Sequence, residues 1–313
     1  MAAIISYQKN QKSFKAGSGG VVFSALSGAA PVNLLFDLFP GAGFGYSFRK
    51  LRTLHINPDI KARENANSQD IGFLSNVLDS AALLTFTGAN DGFLPIIYDQ
   101  STNGNNLTQT TAANQLQIVD AGSLVTSNSL AASQGASNRG GETSSIAFSG
   151  MTDIWFFDVI DVASTSGTQV LYESSTNFNS NVGAIIIYIN SGELLVNVRA
   201  SGVALQNKYP ISTGRQLISI RIRTGLDNNS YSDVYINGTQ ITLATGTGAG
   251  NSVLSDQVLY VGARAGTSLG FLGKRQASIF YPSDQSSNRV AIEANLINYY
   301  FADFFLLADS GFL

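Results

Sequence analysis

A chain of 313 residues, 44% of them hydrophobic, is long enough for one large domain or for a domain with an appendage. Only 12% of the residues are charged, 31 are glycine and the formal net charge is -3, so the polar surface is mostly neutral and offers no basic field to nucleic acid. Without cysteine the chain has no disulfide framework, thiolate nucleophile or cysteine zinc site, and its single histidine, His55, reads as structural within Thr53-Leu54-His55-Ile56-Asn57.

Residues 1–30 carry Lys9, Lys12 and Lys15 and then Gly17-Ser18-Gly19-Gly20, without a core pattern, and read as an extended arm for attachment or oligomerisation. The apolar run at the amino terminus is too short for a secretion signal, and no stretch approaches the roughly 20 residues that span a bilayer. A domain is expected from residue 31 to residue 302. Asp79, followed by Ser80-Ala81-Ala82-Leu83-Leu84-Thr85-Phe86 and closed near Gly88, predicts a capped short helix. The stretch 121–149, rich in Ser, Ala, Asn and Gly, reads as a long surface excursion.

Beyond residue 150 the pattern is β. Asp153–Ile160 predicts a buried strand that places Trp155 in the core, and Ile218-Ser219-Ile220-Arg221-Ile222-Arg223 alternates so that one face is packed and one wet. Hairpins are predicted at Asn190-Ser191-Gly192 and at Asn237-Gly238. Asn288–Phe301 predicts a closing helix that packs through Val290, Ala294 and Ile297 and pairs Arg289 with Glu293. The tail 303–313 is apolar and needs something to bury against, either this domain or a subunit. The whole reads as a mainly β antiparallel sandwich with a few short helices.

Two blocks carry a resemblance. Ile97-Tyr98-Asp99-Gln100-Ser101-Thr102-Asn103-Gly104-Asn105-Asn106-Leu107-Thr108-Gln109 and Tyr281-Pro282-Ser283-Asp284-Gln285 resemble two blocks of the α-L-arabinofuranosidase B catalytic domain, in the same order. The resemblance implies a concanavalin A/laminin G-like jelly roll, and it likens Tyr46–Arg52 to the first segment of that module, where a short helix starts the domain. It also says where hydrolytic carboxylates belong: a nucleophilic Glu just before an Ile-Tyr pair, here near Ile185, and an acid/base Asp in a loop matching Val261–Thr267. Retaining hydrolysis needs two carboxylates roughly 5 to 5.5 Å apart. Isoleucine cannot attack an anomeric carbon, and no Asp or Glu occurs from Gln257 through Ser283. Glu173 and Glu193 flank the first gap as the available substitutes. Relatives in that family are disulfide-bonded, which this chain cannot be.

In the first block, Asp99, Gln100 and Asn103 are expected to build a hydrogen-bonded loop with Gly104 at positive φ, and Asp284 to cap the helix that follows it. A sugar site needs an aromatic platform with polar groups, for which Tyr98, Asp99, Tyr172, Tyr188 and Tyr281 are the candidates, with Tyr209 also considered. Asp227-Asn228-Asn229 and Asp99-Asn103-Asn105 are unspecific calcium patterns, so no metal or cofactor is expected. The Asn-x-Ser/Thr matches at Asn106, Asn228 and Asn237 are what an Asn-rich chain contains by chance.

Similar modules occur in structural and fibre-like proteins of bacteriophages. The resemblance therefore implies a non-enzymatic virion protein, a spike, fibre head or decoration, that displays a lectin-like jelly roll for host surface glycans. It would join other virion proteins through arm and tail, as a homo-oligomer such as a trimer, on the virion surface after lysis. The alternatives are a glycoside hydrolase or depolymerase with rearranged carboxylates, and a secreted lectin.

Overall fold

The computed structural model describes residues 34–200, 203–227 and 229–301. The arm at 1–30 and the tail at 303–313 lie outside the described residues. In chain order the elements that build the sandwich begin with α1 (Leu35–Leu38), β1 (Phe44–Ser47), β2 (Ile60–Glu64), β3 (Asn67–Ile71), α2 (Ser80–Thr87), β4 (Gly92–Ile97), β5 (Leu107–Thr108) and β6 (Leu116–Asp120). Next come β7 (Ser133–Gln134), β8 (Gly141–Ile146), β9 (Asp153–Val162), β10 (Gln169–Glu173), β11 (Ile185–Asn190) and β12 (Glu193–Arg199). The chain continues with β13 (Ala204–Pro210), β14 (Gly214–Arg223), β15 (Ser232–Ile236), β16 (Thr245–Thr247), β17 (Gln257–Val261), β18 (Gly273–Tyr281) and α3 (Arg289–Tyr300).

The first layer runs β15-β14-β9-β18, with β1 and β7 sharing the far side of β18. The second runs β3-β2-β4-β5-β8-β17-β10-β11-β12-β13-β16. All these pairs are antiparallel, and β7, which also pairs with β6, joins the layers at one corner. The mainly β jelly-roll expectation holds. Alternation explains the packing: Phe156, Ile160, Ile218, Ile220 and Phe280 of the first layer meet Ile185, Ile187, Val196 and Val261 of the second in one interlayer core.

A second core lies on the opposite face of the first layer. There Trp155, Phe157, Leu217, Ile279 and Tyr281 are covered by Ile292, Leu296 and Tyr300 of α3 and by Leu35 and Phe36 of α1. Trp155 is thus core, as expected. The other side of β14 is not wet throughout as predicted, because Leu217 and Ser219 are buried completely, while Arg221 and Arg223 at one end and Arg215 at the other stay partly open.

The helix itself forms, with Arg289 and Glu293 paired at 2.6 Å, and Ile297 packs partly against this second core, but the rest of the expected stripe does not: Val290 is 64% exposed and Ala294 is also exposed. Two apolar stripes compete on α3. The one that wins ends in Tyr300, whose ring is buried and whose hydroxyl meets Ser47 Oγ at 2.6 Å.

Two further expectations are corrected. The helix likened to Tyr46–Arg52 is absent, since Phe44–Ser47 forms β1 and stacks Phe44 on Phe280 at 5.4 Å. Nor is 121–149 a surface excursion: it supplies β7 and β8. Its small residues are needed where chains cross, for a Cβ on Gly135 would stand 2.1 Å from the Phe271 carbonyl oxygen and one on Gly140 2.7 Å from the Ala263 nitrogen. The capped helix α2 is present, with Asp79 accepting from the Ala82 N–H at 3.0 Å. Both hairpins turn through pairs of positive φ, Ser191-Gly192 and Asn237-Gly238.

Candidate functional site

The first sequence block closes β4 onto β1. Asp99 accepts from the N–H groups of Gly45, Ser101 and Asn105 and from the Ser101 hydroxyl, at 2.6 to 3.0 Å, which fills its four lone-pair positions. Gln100 accepts from the Leu51 N–H at 2.7 Å and donates to the carbonyls of Ser47 and Arg49. Asn103 donates to the carbonyls of Ala42 and Gly43, and Gly104 takes φ +71. Asp99 is therefore removed as a sugar ligand, because it has no acceptor left to offer.

Tyr172 and Tyr281 are removed as well. Both are fully buried; the Tyr172 hydroxyl meets Ser278 Oγ at 2.6 Å and the Tyr281 hydroxyl donates to the Phe39 carbonyl at 2.7 Å. Tyr209 is likewise core, donating to the Ser232 carbonyl. Asp284 does not cap α3. It accepts from the N–H and hydroxyl of Ser286 and pairs with Arg221 at 3.3 Å, while Asn288, at the helix start, makes no side-chain cap. Asp227 likewise closes a local turn with Asn229 and Ser230, and Asn228 lies outside the described residues. Burial lowers the pKa of His55, whose Nε2 lies 3.3 Å from the Pro58 carbonyl.

Tyr98 and Tyr188 remain partly exposed, and the register shows that they share a face. Directly opposed residues of neighbouring strands point to the same side of a sheet. One such row crosses the second layer from Asp70 through Lys61, Ile96, Thr108, Glu142, Tyr260, Glu173, Ile186, Asn197 and Gln206 to Thr247. Ile186 of this row belongs to a small outer cluster with Val170, Phe178 and Ala184, whereas Ile185 and Ile187 lie in the interlayer core. The row is thus the outward face. Tyr98 and Tyr188 stand two residues beyond Ile96 and Ile186 and point the same way.

At the centre of this face lies Glu173. Its side chain is 0% exposed; Oε2 takes the Arg264 Nε at 3.0 Å and Oε1 takes the Phe178 N–H at 2.9 Å. Phe178, itself 3% exposed, covers the neighbouring Ile186. The position first matched to a nucleophile, Ile185, faces the wrong side, and the outward residue beside Glu173 is Ile186. The loop matched to the acid/base supplies Arg264, a cation, where the resemblance implies a carboxylate. Glu193 is engaged with Lys208 at 3.1 Å at the far end of the hairpin.

Among the residues of this face that carry no local sequence signal are Glu142, Tyr260 and Arg264. Only strand register reveals that Glu142 and Glu173 flank Tyr260, whose pKa is raised by burial and then by the Glu142 carboxylate. Asn197 is 4% exposed and its Oδ1 has no hydrogen-bond partner. No group of acidic or histidine residues among the described residues could hold a metal ion.

At the Tyr98 end of the face the first block borders a groove of about 450 Å³, lined by Arg52, Asn57, Tyr98, Thr102, Gly104 and Asn106 among others. The Tyr98 hydroxyl donates to Asp70 at 2.8 Å, and burial together with that carboxylate pushes its pKa up to about 12.

The sequence matches no protein-family model and no curated protein. Its fold matches that of a GH54 α-L-arabinofuranosidase soaked with a cyclic sulfate inhibitor, with a TM-score of 0.60, 16% identity and 84% of this chain covered. A second structure, an arabinofuranosidase complexed with arabinofuranosyl-α-1,2-xylobiose, matches with a TM-score of 0.58, 14% identity and the same coverage. The chain spans 64% of the length of each of these structures. The shared property is the β-sandwich fold.

Proposed function

We propose that this chain is a glycan-binding jelly roll that does not hydrolyse its ligand, displayed on a bacteriophage particle as a spike, fibre head or decoration. The observation that carries the binding without hydrolysis is the state of Glu173. It is the carboxylate at the centre of the outward face, and it is sealed beneath Phe178 and neutralised by Arg264. A nucleophile must reach the anomeric carbon, and this one is closed off from solvent. What the face presents instead is Tyr188 with Gln206 on one side and Tyr98 with Thr108 on the other, groups that stack on and hydrogen-bond to sugars.

The arabinofuranosyl ligand of the second matching structure makes arabinofuranosyl glycans the first ligands to test. The virion setting draws support from the occurrence of similar modules in structural proteins of bacteriophages and from the neutral, Gly-rich composition. In that setting the protein is a homo-oligomer, with a trimer suited to a spike or fibre, on the outside of the particle.

One observation favours a second reading, a glycoside hydrolase. Glu142 and Glu173 lie two strands apart on one face, a backbone separation of roughly 10 Å at the usual strand spacing, from which two glutamates can span the roughly 6.5 to 9.5 Å of an inverting pair. The experiment is a panel of arabinofuranosyl and bacterial surface glycans assayed for binding and for released reducing sugar. Binding without release is expected. Release that disappears in Glu142→Gln or Glu173→Gln would replace this reading with the hydrolase.

A further inference from the structure

The wall that the first block gives the groove beside Tyr98 offers more free hydrogen-bond donors than acceptors. Its Asp, Asn and Ser acceptors are consumed from inside: Asp99 holds four donors, Asn106 Oδ1 takes the Asp99 N–H at 2.9 Å, and Ser101 Oγ takes the Asn103 N–H at 3.1 Å. Its donors are not. The backbone N–H groups of Thr102 and Gly104 find no acceptor among the described residues, and Asn106 Nδ2 is left over once its Oδ1 is engaged.

Arg52 is held over the same wall by the carbonyls of Gln100 and Ser101, at 3.3 and 3.4 Å through Nε and Nη2, which leaves Nη1 unused. No carboxylate pairs with Arg52 among the described residues, while Asp70, which holds Tyr98 and Lys61 through Oδ1, is half-exposed beyond Tyr98. Gly104 has nothing within 4 Å of where a Cβ would stand, so a ligand can approach its backbone.

We propose that this groove binds a carboxylate-bearing sugar unit, a uronic acid residue of a surface glycan. The carboxylate would take Arg52 and the neighbouring N–H donors, and the sugar ring would lie against Tyr98. A carboxylate is acceptor-only and planar, so it supplies what the groove lacks and fits the guanidinium edge. The Asp99 charge beneath the wall opposes any anion, but its oxygens face their own donors rather than the groove. The inference rests on the glycan-binding reading and adds to it a ligand class and a second contact region.

Calorimetric titration with a galacturonate oligosaccharide, a sulfated oligosaccharide and a neutral arabinan oligosaccharide tests it. The galacturonate should bind, and Arg52→Gln should weaken it about tenfold or more, with an unchanged melting temperature. Asn106→Asp, which keeps the acceptor for the Asp99 N–H and adds a negative charge, should weaken it as well. Arabinan binding should persist in both variants and fall in Tyr188→Ala. Equal galacturonate affinity in wild type and Arg52→Gln, or preference for the sulfated oligosaccharide, overturns the uronate site. Arabinan binding without galacturonate binding also overturns it but leaves the proposed function standing; silence toward all three sugars overturns both.

Discussion

The two outer faces of the sandwich are built from the same alternating strands and end in opposite states. On the first layer the outward positions are Trp155, Phe157, Leu217 and Tyr281, and α3 seals them into a second core. On the second layer the outward positions run from Asp70 to Thr247 through mostly polar side chains interrupted by Ile96, Tyr260 and Ile186, and a small cluster around Phe178 covers their middle. The difference teaches that in this fold helix coverage consumes one face for stability and leaves the other open to solvent, where the proposed binding would take place. Substitutions on the two faces should therefore separate stability from binding.

The largest effect is expected for Trp155→Ala, which empties a fully buried aromatic site between β9 and α3 and should cost about 3–5 kcal/mol in denaturant unfolding. Arg264→Met comes next. It leaves Glu173 buried and unpaired, at about 1–3 kcal/mol, the lower end being favoured because Arg264 is 29% exposed. The double variant with Glu173→Gln should recover most of that loss, and a failure to recover would mean that Arg264 acts by packing instead.

A pH effect ranks third. Asp59, just before β2, is fully buried, its Oδ2 has no partner, and burial raises its pKa well above the ordinary 3.8. Folding therefore favours its protonated form. This contribution is complete below about pH 3.8 and is lost as pH rises toward the folded-state value. Melting curves from pH 3 upward should show Asp59→Asn less sensitive to rising pH than wild type. The smallest stability change belongs to Tyr188→Ala on the open face, within about 0.5 kcal/mol, while glycan binding falls. A large loss of stability there would break the contrast between the faces.

Much of the architecture was legible in residue patterns. Period-two runs, the two Gly-containing hairpin turns and the Asp79 cap act within a few residues, so local sequence expresses them. What escaped were features set by distant segments. The Ser- and Gly-rich 121–149 looked like a loop because its small residues answer to Phe271 and Ala263, more than a hundred positions away.

The packed stripe of α3 was misjudged because two stripes were apolar and only contact with β1 and the first layer chooses between them. The site suffered most. Tyr172 and Tyr281 are as aromatic as Tyr98, and nothing local says which rings the sandwich swallows. Glu142, Tyr260 and Glu173 become neighbours only through strand register, and Asp158 with Arg275, a two-pronged ion pair at 3.0 Å inside the sandwich, was invisible for the same reason.

The position of β18 carries a consequence for how the molecule is made. This strand, residues 273–281, lies between β9 on one side and β1 and β7 on the other. A ribosome delivers it after every strand it joins. Until then β1 and β9 each expose a row of unpaired amides, the kind of edge that invites another chain. Closure of the first layer must await this strand, the last among the described residues, and the long loops it spans, which places folding in the slow range of milliseconds to seconds or longer. Nascent chains stalled before Gly273 are accordingly the species most prone to pair with one another.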